Sequence, residues 1–110
     1  MKTFKQVLDD ANKAHTRHIA TQSYAEHVAL GQFYADAREA ADRFAESAIG
    51  LDIPAPEAEE DGVSILEEGL LALSEMRESE CGDDPTLLAI FDDLTMVYTS
   101  TLYKLKRLIK

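Results

Sequence analysis

The chain has 110 residues and a formal net charge of −10, with 11 Lys and Arg against 21 Asp and Glu. That length suits one domain around one core, and the charge repels a phosphate backbone, so no nucleic-acid partner is expected. No run approaches the roughly 18 uninterrupted apolar residues of a membrane span, so no membrane partner is expected either. Cys81 is the single cysteine, which excludes an intrachain disulfide and fits a reducing, cytoplasmic setting.

The opening MKTFKQVLDDANK reads as a charged, amphipathic helix start rather than a signal peptide. Phe4, Leu8, Ala11, His15 and His18 step by four and three, so a first helix is predicted near residues 2–21, with both histidines in its inward stripe. Thr21 to Ser23 is the break. Ser23 with Glu26 three residues later is a capping box, so a second helix starts at Tyr24 and runs to about residue 49, with Gly50 as its stop. The short connection makes these two helices antiparallel neighbours and brings His15 or His18 towards the level of His27.

The second helix carries two stripes. Leu30, Tyr34, Ala37, Ala41, Phe44 and Ala48 form a core stripe that His27 continues. Tyr24, Gly31, Ala35, Asp42 and Ile49 form a small-residue flank, with Glu39 and Glu46 on its edge. On a helical wheel Asp42 lies only about 60° from His27.

Residues 51–61, with Pro54 and Pro56 and then an acidic run, read as an extended linker. A third helix is predicted near 62–79 on Val63, Leu66, Leu70 and Leu73. Gly82 ends it, Asp84 caps a fourth helix and Pro85 takes its first turn. The fourth helix, near 85–109, shows Leu87, Phe91, Leu94, Tyr98, Leu102 and Leu105. Late cations such as Lys104, Lys106 and Arg107 suit a helix C-terminus. No strand-like alternation occurs. Four amphipathic helices with one longer connection, between the second and third, predict an all-α single domain over 1–110, a four-helix bundle.

Phosphate-binding glycine loops, HExxH, CxxC and GxSxG are all absent from the sequence. What remains is histidine plus carboxylate, a donor set that suits Fe, Mn or Zn. The Glu-x-x-His pairs that build intrachain diiron bundles are also absent.

The spacing His15, His27, Asp42, Glu46 resembles the ferroxidase pattern of the mini-ferritins, the Dps-like branch of the ferritin-like superfamily. HVALGQFY at 27–34 and EAADRFAESAIG at 39–50 resemble that family's second helix, and the likeness covers about residues 12–50. The later helices are similar in pattern, with DPTLLAIFDDL at 84–94 the nearest text. The resemblance implies a ferritin-like bundle whose iron site lies between two subunits of a homodimer or larger homo-oligomer. His15 and His27 would come from one chain and Asp42 and Glu46 from the other, with the flank of the second helix as the interface.

Four departures accompany the likeness. Gly31 stands where the family has a ligating Asp. Thr16 stands where it has a Trp. The linker lacks the family's short extra helix, and no basic tail precedes the first helix. The implied activity is therefore iron binding at one ion per site, with His18 as possible support, and weak Fe(II) oxidation at most. The other reading open on the sequence is a degenerate, non-catalytic homo-oligomeric helical-bundle protein with a structural or partner-binding role.

Overall fold

The computed structural model describes residues 1–108. It is all-α, with no strand among the described residues: α1 Lys2–Ala20, α2 Tyr24–Gly50, α3 Gly62–Cys81 and α4 Pro85–Tyr103, followed by a π-helical turn over Lys104–Leu108. The four predicted helices are all present. Ile109, where the sequence reading ended the fourth, lies outside the described residues.

The start signals act as their chemistry requires. Ser23 accepts from the Glu26 amide at 3.2 Å, Asp61 from Ser64 at 2.8 Å and Asp84 from Leu87 at 2.9 Å, each satisfying an amide that the helix start leaves without a partner. One stop signal differs. Gly50 remains inside α2, and the chain turns two residues later at Asp52, whose φ is 66°. Asp is one of the few residues that tolerate this left-handed region. The amides of Leu51 and Ile53 close the end by bonding back to Ala48.

Contacts group the chain into two compact units, Met1–Glu57 and Ala58–Lys110. Each is an antiparallel helical hairpin. In the first, α1 packs on α2, and the buried residues are all alanines: Ala11, Ala41, Ala45 and Ala48. Side chains this small allow close helix approach. Phe4, Val7, Ala37, Ala40 and Phe44 line an apolar cleft of about 290 Å³ on the same unit.

In the second, α3 packs on α4 around Leu102 and Cys81. Gly69 makes room for Tyr98: a Cβ there would come within 2.8 Å of the tyrosine Cε2. Arg77 clasps Asp92 with two bonds of 3.0 and 3.1 Å, and Lys106 reaches Glu67 at 3.3 Å.

Candidate functional site

All three histidines of the chain gather at one end of the first hairpin. The corner that places them is polar and fully engaged. The Thr21 hydroxyl donates to the Glu26 carboxylate, Arg17 Nε approaches the same oxygen at 2.9 Å, and the Ser23 amide donates to Thr21 Oγ1. The Thr21 bond, with Arg17 assisting against some burial, holds the Glu26 carboxyl below the usual carboxylate range.

This corner sets His18 of α1 against His27 of α2. Their rings stack with centroids 3.7 Å apart and planes 16° from parallel. His18 Nδ1 lies 2.6 Å from the His27 carbonyl, and His27 Nδ1 lies 2.8 Å from the His18 carbonyl. A carbonyl only accepts, so both Nδ1 atoms carry hydrogen and donate. The His18 carbonyl belongs to the last turn of α1, which has no intrahelical donor, so His27 caps that helix. Gly31 completes the arrangement. A Cβ at this position would sit 3.0 Å from His18 Cε1 and 3.2 Å from its Nδ1. Gly31 therefore faces α1 as a seat for the His18 ring, and does not belong to the outward flank where the sequence placed it.

His15 stacks on Tyr34, with centroids 4.0 Å apart at 14°, and His18 meets the same tyrosine edge-on at 5.3 Å. The Arg38 guanidinium lies 5.2 Å from the Tyr34 centroid, a cation–π contact. Its Nη2 donates to Asn12 Oδ1 at 2.9 Å, and its Nη1 approaches His15 Nδ1 at 3.5 Å. Because guanidinium is always a donor, His15 Nδ1 is the acceptor here and its hydrogen resides on Nε2.

Asp42 and Glu46 are exposed on α2. They lie about 22 and 28 Å beyond His27 along the helix axis. Within one chain, therefore, His15, His27, Asp42 and Glu46 do not come together. No group of three or more His, Cys, Asp or Glu among the described residues has the geometry to hold a metal ion.

Two further features oppose an ion at the cluster as it stands. A cation at His15 would lie beside a guanidinium. The lone pairs of His18 and His27 lie in nearly parallel ring planes, so they do not converge on one ion at the roughly 2.1 Å of a metal–imidazole bond, and His18 does not support His27 as a joint ligand. The donors of one chain do not fit an iron ion, and the inter-subunit reading requires carboxylates from a second copy.

Residues 18–105 match DUF5856, a family of unknown function. The chain belongs to this family. The DUF5856 match includes His18, His27, Tyr34, Arg38, Asp42 and Glu46 and begins after Asn12 and His15. No curated protein and no solved structure matches the chain.

Sequence reasoning missed Arg38, Tyr34 and Asn12 as members of the cluster. One signal was present: Arg38 is a charge four residues after Tyr34 and three before Ala41, inside an apolar stripe. Such a residue needs a polar or aromatic partner on the facing helix.

Proposed function

We propose that this DUF5856 protein is a non-catalytic helical module that acts by assembling with further copies of itself, in a structural or partner-binding role. The observation that carries this reading is the engagement of the chain's reactive side chains. His18 and His27 clasp the hairpin by reciprocal bonds, and His15 is held between Tyr34 and Arg38. Each ring commits its Nδ1 to its own hairpin, and the remaining Nε2 atoms of His18 and His27 belong to stacked, nearly parallel rings that do not converge on one ion.

The support for assembly lies in the exposed apolar residues of α2. Tyr24 is 81% exposed, and Val28 and Ile49 are about half exposed, on the face that also carries Ala35 and Asp42. Covering such residues with a second copy removes apolar surface from water and stabilises a small chain. The iron-binding reading competes with this one, because it uses the same outward carboxylates.

Sedimentation equilibrium from low to high micromolar concentration tests the proposal, with an anaerobic Fe(II) titration on the same sample. A dimer or larger homo-oligomer that forms without metal and binds no stoichiometric iron supports it. A monomer throughout the range, or saturable iron binding at one ion per chain, two per subunit pair, overturns it.

A further inference from the structure

The cations of the two hairpins are treated unequally. Arg17, Arg43, Arg77 and Lys106 each lie within ion-pair distance of a carboxylate: Glu26, Glu39, Asp92 and Glu67. Arg38 is half-buried, and its contacts among the described residues are neutral: the Tyr34 face, Asn12 Oδ1 and His15 Nδ1. A guanidinium has five N–H donors in a rigid fork that matches a carboxylate, and here two are directed at Asn12 and His15. Holding it flat on an aromatic ring removes much of the side-chain freedom that a new partner would otherwise have to freeze.

Asp42 and Glu46 present the converse case. They follow Arg38 at successive turns along the outer edge of α2, and no bond or ion pair engages either among the described residues. Asp42 is four residues from Arg38 on the same helix, yet the guanidinium turns away from it, across Tyr34 towards Asn12 of α1. Neighbouring turns of α2 therefore carry an anchored cation without an anion, at the seam with α1, and two exposed anions without a cation. An arrangement of that kind is complementary to itself under a two-fold axis.

Resting on the self-assembly reading above, we propose that two copies of α2 pair antiparallel about an axis near residue 40, with the Asp42 carboxylate of the second copy seated on Arg38. The same axis sets Asp42 of the first copy on Arg38 of the second. It also brings Tyr24 and Val28 of one copy to the level of residues 52–56 of the other, next to the exposed Leu51 and Ile53. Ala35, close to the axis, keeps the helices able to approach. At this interface the positive charge comes from the protein's own guanidinium, on the face where the sequence reading placed a metal ion.

The test is a charge swap in the full chain, read by sedimentation equilibrium at fixed ionic strength with helicity followed in parallel. Asp42→Arg lies on an exposed position, so its hairpin stays folded and its effect reads the interface alone. Wild type is expected to dimerise. Asp42→Arg and Arg38→Glu should each weaken the dimer about tenfold or more, because each puts like charges face to face. The double variant Arg38→Glu/Asp42→Arg should recover most of the loss. A wild-type monomer overturns both this pairing and the assembly reading. A wild-type dimer that Asp42→Arg leaves unchanged, or that the double variant does not restore, overturns the pairing and leaves assembly standing.

Discussion

The two hairpins solve the same problem with different chemistry. In α1–α2 the helices meet through alanines, and half-buried imidazoles, a tyrosine and an arginine lock one end. In α3–α4 larger apolar groups pack beside Gly69, and the polar links are exposed ion pairs, Arg77–Asp92 and Lys106–Glu67. Partly buried polar networks are costly to break because each member left unpaired loses its hydration as well. Exposed ion pairs are replaced by water at little cost. The first hairpin should therefore respond sharply to single substitutions in its cluster, and the second mainly to changes in packing.

The largest expected effect is at Gly31. Gly31→Asp puts a Cβ 3.0 Å from the His18 ring, which must give by a few tenths of an ångström against its stack and its bond to the His27 carbonyl. We expect a loss of about 1–3 kcal/mol, as for overpacking in a close-packed site. Residue-resolved hydrogen exchange should report it in α1 and α2 and leave α3 and α4 unchanged. Under the iron reading the same substitution supplies a missing carboxylate and raises metal affinity, so this variant separates the two accounts.

His27→Ala comes next. It removes the cap on the α1 terminus and the stacking partner of His18, at about 1–2 kcal/mol. Thermal unfolding followed by circular dichroism should show the loss, and amide protection should fall first near Arg17 to Thr21. An unchanged melting temperature would mean that the clasp adds nothing to the hairpin.

Arg77→Ala is the matching change in the second hairpin. Because the pair is exposed, the expected shift in melting temperature is small and should shrink further as salt is raised. A shift as large as that of His27→Ala would erase the contrast between the hairpins.

Acid titration sharpens the comparison with the smallest effect. In the first hairpin the Glu26 carboxyl is held low, chiefly by the Thr21 hydroxyl. A depressed acid contributes stability above its unfolded pKa and loses it as pH falls through the folded value. In the second hairpin Asp61, bonded by the Ser64 amide, and Asp92, bonded by Arg77, act with the same sign. Glu60 acts with the opposite sign. Glu68 beside it pushes its carboxyl up, so protonation there relieves the folded state and the contribution is lost as pH rises. Acidification below the usual carboxylate range should thus weaken both hairpins, with a partial offset in the second. Thr21→Val should flatten the acid response of the first hairpin alone, measured as amide protection against pH.

The helices were legible in the sequence because their signals are local. Ser23 and Asp84 each cap the helix they were read to start, and Pro85 opens α4 as a first-turn proline should, while Asp61, read only as the end of the linker, caps α3. That His15 or His18 comes to the level of His27 was legible too, since a short turn joins antiparallel helices; that His18 is the one that stacks on it was not. The tautomers were not, because they depend on which carbonyl each ring reaches across the corner. Gly31 shows the same limit. The family resemblance read in the sequence implies a missing carboxylate there, while the structure assigns it as the space beside the His18 ring, and only the rotation of α2 against α1 tells the two apart. Arg38 was hidden for a similar reason: its partners Asn12 and His15 are distant in sequence.

The account's central claim is that the histidines serve the hairpin. Long-range ¹H–¹⁵N correlation of the three imidazoles at neutral pH tests it most directly, recorded before and after anaerobic addition of stoichiometric Fe(II). The account predicts hydrogen on Nδ1 of His18 and His27 and on Nε2 of His15, with all three signals retained when iron is added. Hydrogen on Nε2 of His18 or His27, or selective loss of the His15 and His27 signals with iron, would contradict it.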